Sequence, residues 1–130
     1  MANMHVPVSP GEVLDKITIL EIKSERMTDP EKVANVRTEL ALLQEVWSSN
    51  IKDSETIRSL HAQLKKINEA LWEIEDDIRD KERAREFDDR FIELARAVYV
   101  TNDRRSQVKK ELNLHLGSEI IEEKSYQDYT

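Results

Sequence analysis

The chain has 130 residues, the size of one domain, and a net charge of −7 from 27 acidic and 20 basic residues. This acidity argues against non-specific nucleic-acid binding, and the absence of cysteine excludes disulfides and thiolate chemistry. The N-terminus has no signal-peptide pattern and no apolar run is long enough to span a bilayer, so we expect a cytoplasmic protein without membrane association.

Two start signals predict the first two helices. Residues 9–12 combine a serine N-cap with proline at the first helical position and a glutamate that can complete the cap. The first helix is predicted to run to about Met27. Residues 29–31 repeat the signal as Asp-Pro-Glu and predict a second helix that ends near Ser48.

The first helix is apolar on two sides. Val13, Ile17 and Leu20 lie on one side, whereas Ile19 and Ile22 project from nearly the opposite side. A helix with two apolar faces is either central in a bundle or shared with a second subunit. We therefore expect a central helix or a homodimer.

The third and fourth helices are predicted to form a long antiparallel hairpin. The third starts near Ser54, and the fourth starts at Asp88 and ends at Gly117. The third helix has a seam with 3-4 spacing: Ile57, Leu60, Leu64, Ile67, Leu71, Ile74 and Ile78. Few polar residues separate the two helices, so they must pack side by side. The predicted fold is an all-α helical bundle over residues 1–130, in which two N-terminal helices pack on the hairpin and residues 118–130 form a tail.

An acidic face on the third helix raises the possibility of a metal site. Glu69, Glu73, Asp76 and Asp80 have spacings at which carboxylates can share Mg²⁺. They lie opposite the apolar seam, which favours the interpretation as a solvated face. The three histidines have no ligand spacing, and we predict neither a metal site nor a cofactor.

The fourth helix carries polar residues on its apolar side. Continuing the apolar stripe places Asn102, Arg105, Lys109 and Asn113 on or beside the core. Buried cations need a partner, because desolvation costs more than packing returns. By sequence level, Asn68 is predicted to face Asn102. The acidic residues expected nearest to Arg105 are Glu75, Asp103 and, if the first helix is central, Glu21.

Two hypotheses explain these polar residues. The first, which we favour, is a structural network that fixes the register of the helices. The second is a ligand pocket in which Arg105 and Lys109 bind a phosphate or carboxylate. The candidate ligand-binding residues are Asn68, Trp72, Glu75, Arg79, Tyr99, Asn102, Asp103, Arg105 and Lys109.

Five segments resemble a family of small bacterial and phage proteins that is classed as a domain of unknown function. The segments are PVSPGEVLDKITILEIK (7–23), LWEIED (71–76), FIELARAVY (91–99), NDRR (102–105) and EEKSY (122–126). Proteins similar to this family occur beside glycosyltransferase and surface-polysaccharide genes, which implies a role in sugar or sugar-nucleotide metabolism. The recurrent polar and aromatic positions that the resemblance implies are Asp15, Lys16, Glu21, Lys23, Trp72, Glu75, Asp76, Arg79, Tyr99, Asn102, Asp103, Arg105, Glu122, Glu123, Lys124 and Tyr126.

Three functions fit these observations. The first is a binding or interaction module, expected to be homodimeric, that recognises a small anionic ligand or a partner protein. The second is an enzyme that acts on a phosphorylated sugar or nucleotide, with Mg²⁺ held by some of Glu75, Asp76 and Asp103. The third is a purely structural assembly protein. No reaction follows from the sequence.

Overall fold

Four helices and a C-terminal tail make up the computed structural model, which describes residues 2–130. The helices are α1 (Pro10–Arg26), α2 (Pro30–Asn50), α3 (Glu55–Ala84) and α4 (Asp89–His115). About 74% of the described residues are helical and none lies in a strand, which confirms the all-α prediction. None of the helices in residues 2–130 is long and apolar enough to cross a membrane.

The helix starts are the ones that the sequence signals predict. At each start, a side-chain oxygen accepts a hydrogen bond from a backbone N–H of the first turn, which no carbonyl in the helix can reach. The N-cap residues are Ser9, Asp29, Ser54 and Asp88. The predicted ends of α1 and α2 are correct to within two residues.

Two helices end in a Schellman motif, in which a residue with positive φ reverses the chain. At the end of α4 this residue is Gly117 (φ 66°), and the N–H of Ser118 donates to the carbonyl of Asn113 (2.9 Å). At the end of α3 the same position is held by Arg85 (φ 55°). An L-residue with a Cβ is disfavoured there, so Arg85 lies in a conformation that glycine would adopt more easily.

Helix α1 is the centre of the bundle, because it packs against α2, α3 and α4, whereas α2 packs only against α1. Its apolar residues are buried on both sides, including Ile17, Leu20 and Ile22, and Ile19 is half-buried. This confirms the central position that the two-faced pattern predicts. Ile22 is buried within one chain, so its burial needs no second subunit, and the homodimer stays a prediction.

Helices α3 and α4 share the longest interface, as the predicted hairpin requires. The main core consists of Leu14, Ile57, Leu60, Leu64, Ile67, Val108 and Leu112. Trp47 of α2 packs against this core. Further along α3 the same seam continues as Leu71, Ile74 and Ile78, which are only half-buried. The bundle is therefore closed around the first half of α3 and more open around the second half.

The tail, residues 118–130, has no regular secondary structure and returns along α4. The ring of Tyr129 packs edge-on against the ring of Tyr99, with 5.0 Å between centroids. Ile121 is half-buried, whereas Ile120 and Tyr126 are exposed. The tail is therefore attached at separate points rather than packed along its length.

Candidate functional site

A buried carboxylate joins three helices at the polar level of the bundle. Asp15 of α1 is 2% exposed. Its Oδ1 accepts hydrogen bonds from Asn68 Nδ2 (2.9 Å) and Arg105 Nε (2.8 Å), and its Oδ2 accepts one from Arg105 Nη2. Asn68 also donates to the hydroxyl of Thr18 (2.8 Å). Asp15 and Arg105 thus form a bidentate ion pair, the geometry in which an arginine and a carboxylate bind best.

The structure corrects both predicted partnerships at this level. Asn68 bonds to Asp15 and Thr18 rather than to Asn102, so the predicted asparagine pair is wrong. Arg105 pairs with Asp15 and not with any of the acids that the sequence level indicated. Those acids have other neighbours. Glu75 forms an ion pair with Arg79 (3.1 Å), and Glu21 is hydrogen-bonded to His61 (2.8 Å). Asp103 lies beside Tyr129 of the tail. The reason is that α1 lies across the hairpin and contributes Asp15 between the helices that the prediction paired.

Lys109 is a buried cation that lies among acidic side chains. Its Nζ donates to Glu12 Oε2 (2.8 Å) and to Glu122 Oε2 of the tail (3.1 Å), and lies 4.0 Å from Asp15 Oδ2. Burial by itself would lower the pKa of Lys109, but the hydrogen bonds to the two glutamates outweigh it, and the pKa is raised. The pKa of Arg105 is raised as well, chiefly by its hydrogen bond to Asp15. Both groups are therefore firmly charged.

A close backbone approach fixes α1 against α4. The N–H of Gly11 donates to Asn113 Oδ1 (2.7 Å), and a Cβ on Gly11 would lie 2.7 Å from the carbonyl oxygen of Lys109. Only glycine leaves room for this contact. Because Asp15 follows one helical turn later, the contact at Gly11 sets the position of the buried carboxylate over Arg105.

A groove of about 570 Å³ lies between α1, α3 and α4 beside this network. It contains six of the nine predicted site residues: Asn68, Trp72, Glu75, Arg79, Asn102 and Arg105. Its remaining lining residues are Ile19, Ile22, Leu71 and Asp76. The side of α1 that carries Ile19 and Ile22 is therefore part of the groove, next to the polar residues of α3 and α4.

The other three predicted residues lie outside the groove. Asp103 and Lys109 line a second cleft, of about 280 Å³, beneath the tail. Tyr99 packs against Tyr129 of the tail. The predicted site residues do not include Asp15, although the family resemblance names it among the recurrent polar positions.

Arg105 lines the groove and is held in one orientation by Asp15. Its Nε and Nη2 donate to Asp15, and its Nη1 has only a long contact (3.4 Å) to Asn102 Oδ1. The side chain is 29% exposed. Opposite it, Arg79 and Glu75 form an exposed pair on α3 (3.1 Å). The groove thus combines oriented N–H donors, carboxylate acceptors and one indole ring.

The carboxylates do not assemble a metal site in the described part of the chain. No group of three Asp, Glu, His or Cys side chains in residues 2–130 is placed to hold an ion. Glu75 and Asp76 line the groove, whereas Asp103 lines the cleft beneath the tail. On the acidic face, Glu69 and Glu73 lie near Arg26 (3.7 and 3.4 Å).

Comparison with known families matches residues 4–129 to DUF6165, a family of unknown function. The chain therefore belongs to this family, and the resemblance to a domain of unknown function is confirmed. No curated protein and no solved structure matches the chain.

Proposed function

We propose that this member of the DUF6165 family is a binding module whose groove between α1, α3 and α4 takes a small ligand with an anionic group, of the class of sugar phosphates and sugar nucleotides. One observation carries the proposal: Arg105 lines the groove and is immobilised by the buried Asp15, yet its Nη1 has only a 3.4 Å contact, to Asn102 of the same groove. A ligand oxygen would meet a donor that is already oriented.

Preorganisation is the physical advantage of this arrangement. A free arginine side chain has about 2 kcal/mol of rotamer entropy, much of which is lost when it binds an anion. Arg105 has already lost this freedom in the folded protein, because Asp15 holds two of its donors. The same carboxylate weakens the local positive potential. We therefore expect a ligand that is recognised by geometry and hydrogen bonds rather than by strong charge attraction.

The remaining lining residues fit the other part of such a ligand. The ring of Trp72, with Ile19 and Leu71 beside it, offers an apolar surface for the face of a sugar or a base. Glu75 and Asp76 can accept hydrogen bonds from hydroxyl groups. The groove volume of about 570 Å³ is in the usual range for small-molecule sites. The family resemblance, through its link to sugar metabolism, favours the same ligand class.

No observation favours the two alternatives to the same degree. The Mg²⁺-dependent enzyme requires carboxylates that meet at one point, and Glu75, Asp76 and Asp103 line two different cavities. A purely structural assembly protein would have no use for an arginine that faces an open groove.

The proposal is tested by thermal unfolding of the full chain with glucose 1-phosphate, UDP-glucose, inorganic phosphate and uncharged glucose. A ligand at one hundred times its Kd stabilises the folded state by about 2.7 kcal/mol. We expect the phosphorylated sugars to raise Tm by several degrees and glucose to have a much smaller effect. Addition of Mg²⁺ should leave these shifts unchanged.

Two matched variants locate the binding. Arg79→Gln removes a groove cation whose side chain is 79% exposed, so the variant should fold normally. Arg96→Gln removes an exposed cation of α4 outside the groove. We expect Arg79→Gln to weaken binding and Arg96→Gln to leave it unchanged. Equal binding by both variants, or no shift with any phosphorylated ligand, would contradict the proposal.

A further inference from the structure

Two acidic side chains of the tail form ion pairs with α4, in addition to the contact between the rings of Tyr129 and Tyr99. Glu122 accepts from Lys109 (3.1 Å) and Glu123 accepts from Lys110 (3.4 Å). Among the described residues, no backbone–backbone hydrogen bond joins residues 119–130 to the helices. The tail contains four acidic residues and one basic residue, a net charge of −3 out of −7 for the whole chain. Its attachment therefore has an electrostatic part, which other charged groups can compete with.

The groove and the tail are connected to the same buried carboxylate, Asp15, through two cations of α4. Arg105 lines the groove, and Lys109 binds Glu122 of the tail. Arg105 donates to Asp15 Oδ2, and Lys109 lies 4.0 Å from that oxygen while it binds Glu122 and Glu12. If Glu122 left, Lys109 would lose one of its two close acids. Glu12 Oε2 would remain at 2.8 Å, and the next acceptor is Asp15 Oδ2 at 4.0 Å, so the free donors of Lys109 would then compete with Arg105 for that oxygen.

We infer that residues 118–130 form an acidic strap that lowers the affinity of the groove for anionic ligands. With the strap bound, Lys109 bonds to Glu12 and Glu122 and stays 4.0 Å from Asp15 Oδ2, so the hydrogen bonds of Asp15 to a cation all go to Arg105. With the strap released, Lys109 shares the charge of Asp15, and Arg105 becomes a stronger anion donor. Release also removes the strap's negative charge from beside the network. The inference rests on the proposed function of the groove.

Thermodynamic linkage gives the strap a second, reciprocal property. If attachment of the strap lowers the affinity of the groove for a ligand by some factor, binding of the ligand must lower the equilibrium constant for strap attachment by the same factor. An anionic ligand in the groove should therefore loosen the contact between the rings of Tyr129 and Tyr99, although it touches neither ring.

The test uses the full chain with Glu122→Gln and the matched control Glu119→Gln. Both variants remove one tail charge, but Glu119 has no ion pair with the helices among the described residues. Strap attachment is measured by the nuclear Overhauser contact between the rings of Tyr99 and Tyr129. Affinity for glucose 1-phosphate is measured by titration calorimetry. We expect Glu122→Gln to weaken the ring contact and to bind at least about fivefold more tightly. Glu119→Gln should change neither quantity.

The other outcomes separate the strap from the proposed function. If the parent binds glucose 1-phosphate and Glu122→Gln binds it with the same affinity, the strap is refuted and the groove stands. If Glu119→Gln tightens binding as much as Glu122→Gln, the effect is one of total charge and the strap is also refuted. If neither the parent nor any variant binds, the proposed function fails and the strap fails with it.

Discussion

The buried pair between Asp15 and Arg105 allows a quantitative test of the network. Replacing Arg105 with leucine leaves the Asp15 carboxylate buried with Asn68 as its remaining close donor. Removing one partner of a buried ion pair costs about 3–5 kcal/mol, because the other charge stays desolvated and unpaired. Arg105 is 29% exposed, and Lys109 at 4.0 Å can move towards the carboxylate. Both features reduce the cost, so we expect a loss of about 3 kcal/mol.

This loss should be visible in both chemical and thermal unfolding. Urea denaturation followed by circular dichroism at pH 7 should give the loss of about 3 kcal/mol directly. For a domain of this size, the loss corresponds to a Tm lowered by roughly 10 °C. The matched control is Arg104→Leu, which removes the neighbouring exposed cation of α4 and should change stability by no more than about 0.5 kcal/mol.

A double-mutant cycle separates the pair from its individual residues. Asp15→Asn together with Arg105→Leu removes both charges, so the double variant should be more stable than the sum of the single effects indicates. We expect a coupling free energy of at least about 1.5 kcal/mol. Two results would contradict this expectation: a free energy of unfolding of Arg105→Leu within about 0.5 kcal/mol of the parent's, or single effects that simply add. Either would mean that the buried Asp15 carboxylate does not need Arg105 for its stability.

Three further predictions follow from individual contacts, and a fourth tests the homodimer that the sequence predicts. Gly11→Ala should lower stability by about 1–3 kcal/mol in urea denaturation, because the added Cβ meets the backbone of α4; an unchanged midpoint would contradict this close approach. Arg85→Gly should raise stability by up to about 1 kcal/mol, since glycine adopts the positive φ at the end of α3 without strain, and a lower Tm would be contrary. Stability should fall as the pH rises beyond 10.5, because the pKa of Lys109 is raised in the folded state, which therefore keeps a proton that the unfolded chain releases. Urea midpoints that do not change with pH in this range would contradict the prediction. Sedimentation velocity should show a homodimer of about twice 15.2 kDa, and a monomer at all concentrations would end that prediction.

The sequence was sufficient for the helices, and it left two positions for α1, at the centre of the bundle or between two subunits. Each helix start follows from a capping side chain close to its own turn, which is a local interaction that the order of residues displays directly. The hairpin follows from the short connection between two apolar seams. The two apolar faces of α1 indicated its burial on both sides, because a helix that is apolar all round must be covered all round.

The sequence was also sufficient to select most of the groove, but not to pair its residues. Six of the nine predicted residues line one cavity because they lie at one level of the two helices of the hairpin, and that level depends only on helical rise and the length of the turn. Asp103 and Lys109 belong to the same stretch of α4, but they line the cleft beneath the tail and not the groove.

What only the tertiary structure decided is the partner of each buried charge. Arg105 pairs with a residue that is 90 positions away, and the choice of Asp15 over Glu75 or Asp103 depends on how α1 crosses the hairpin. That crossing is set by the contact between Gly11 and α4, a fit of shapes that no periodicity encodes. Periodicity fixes which face of a helix is buried, because each helix has a constant rotation per residue. It leaves open which helix covers that face and in which register, because both depend on packing between segments that are distant in sequence.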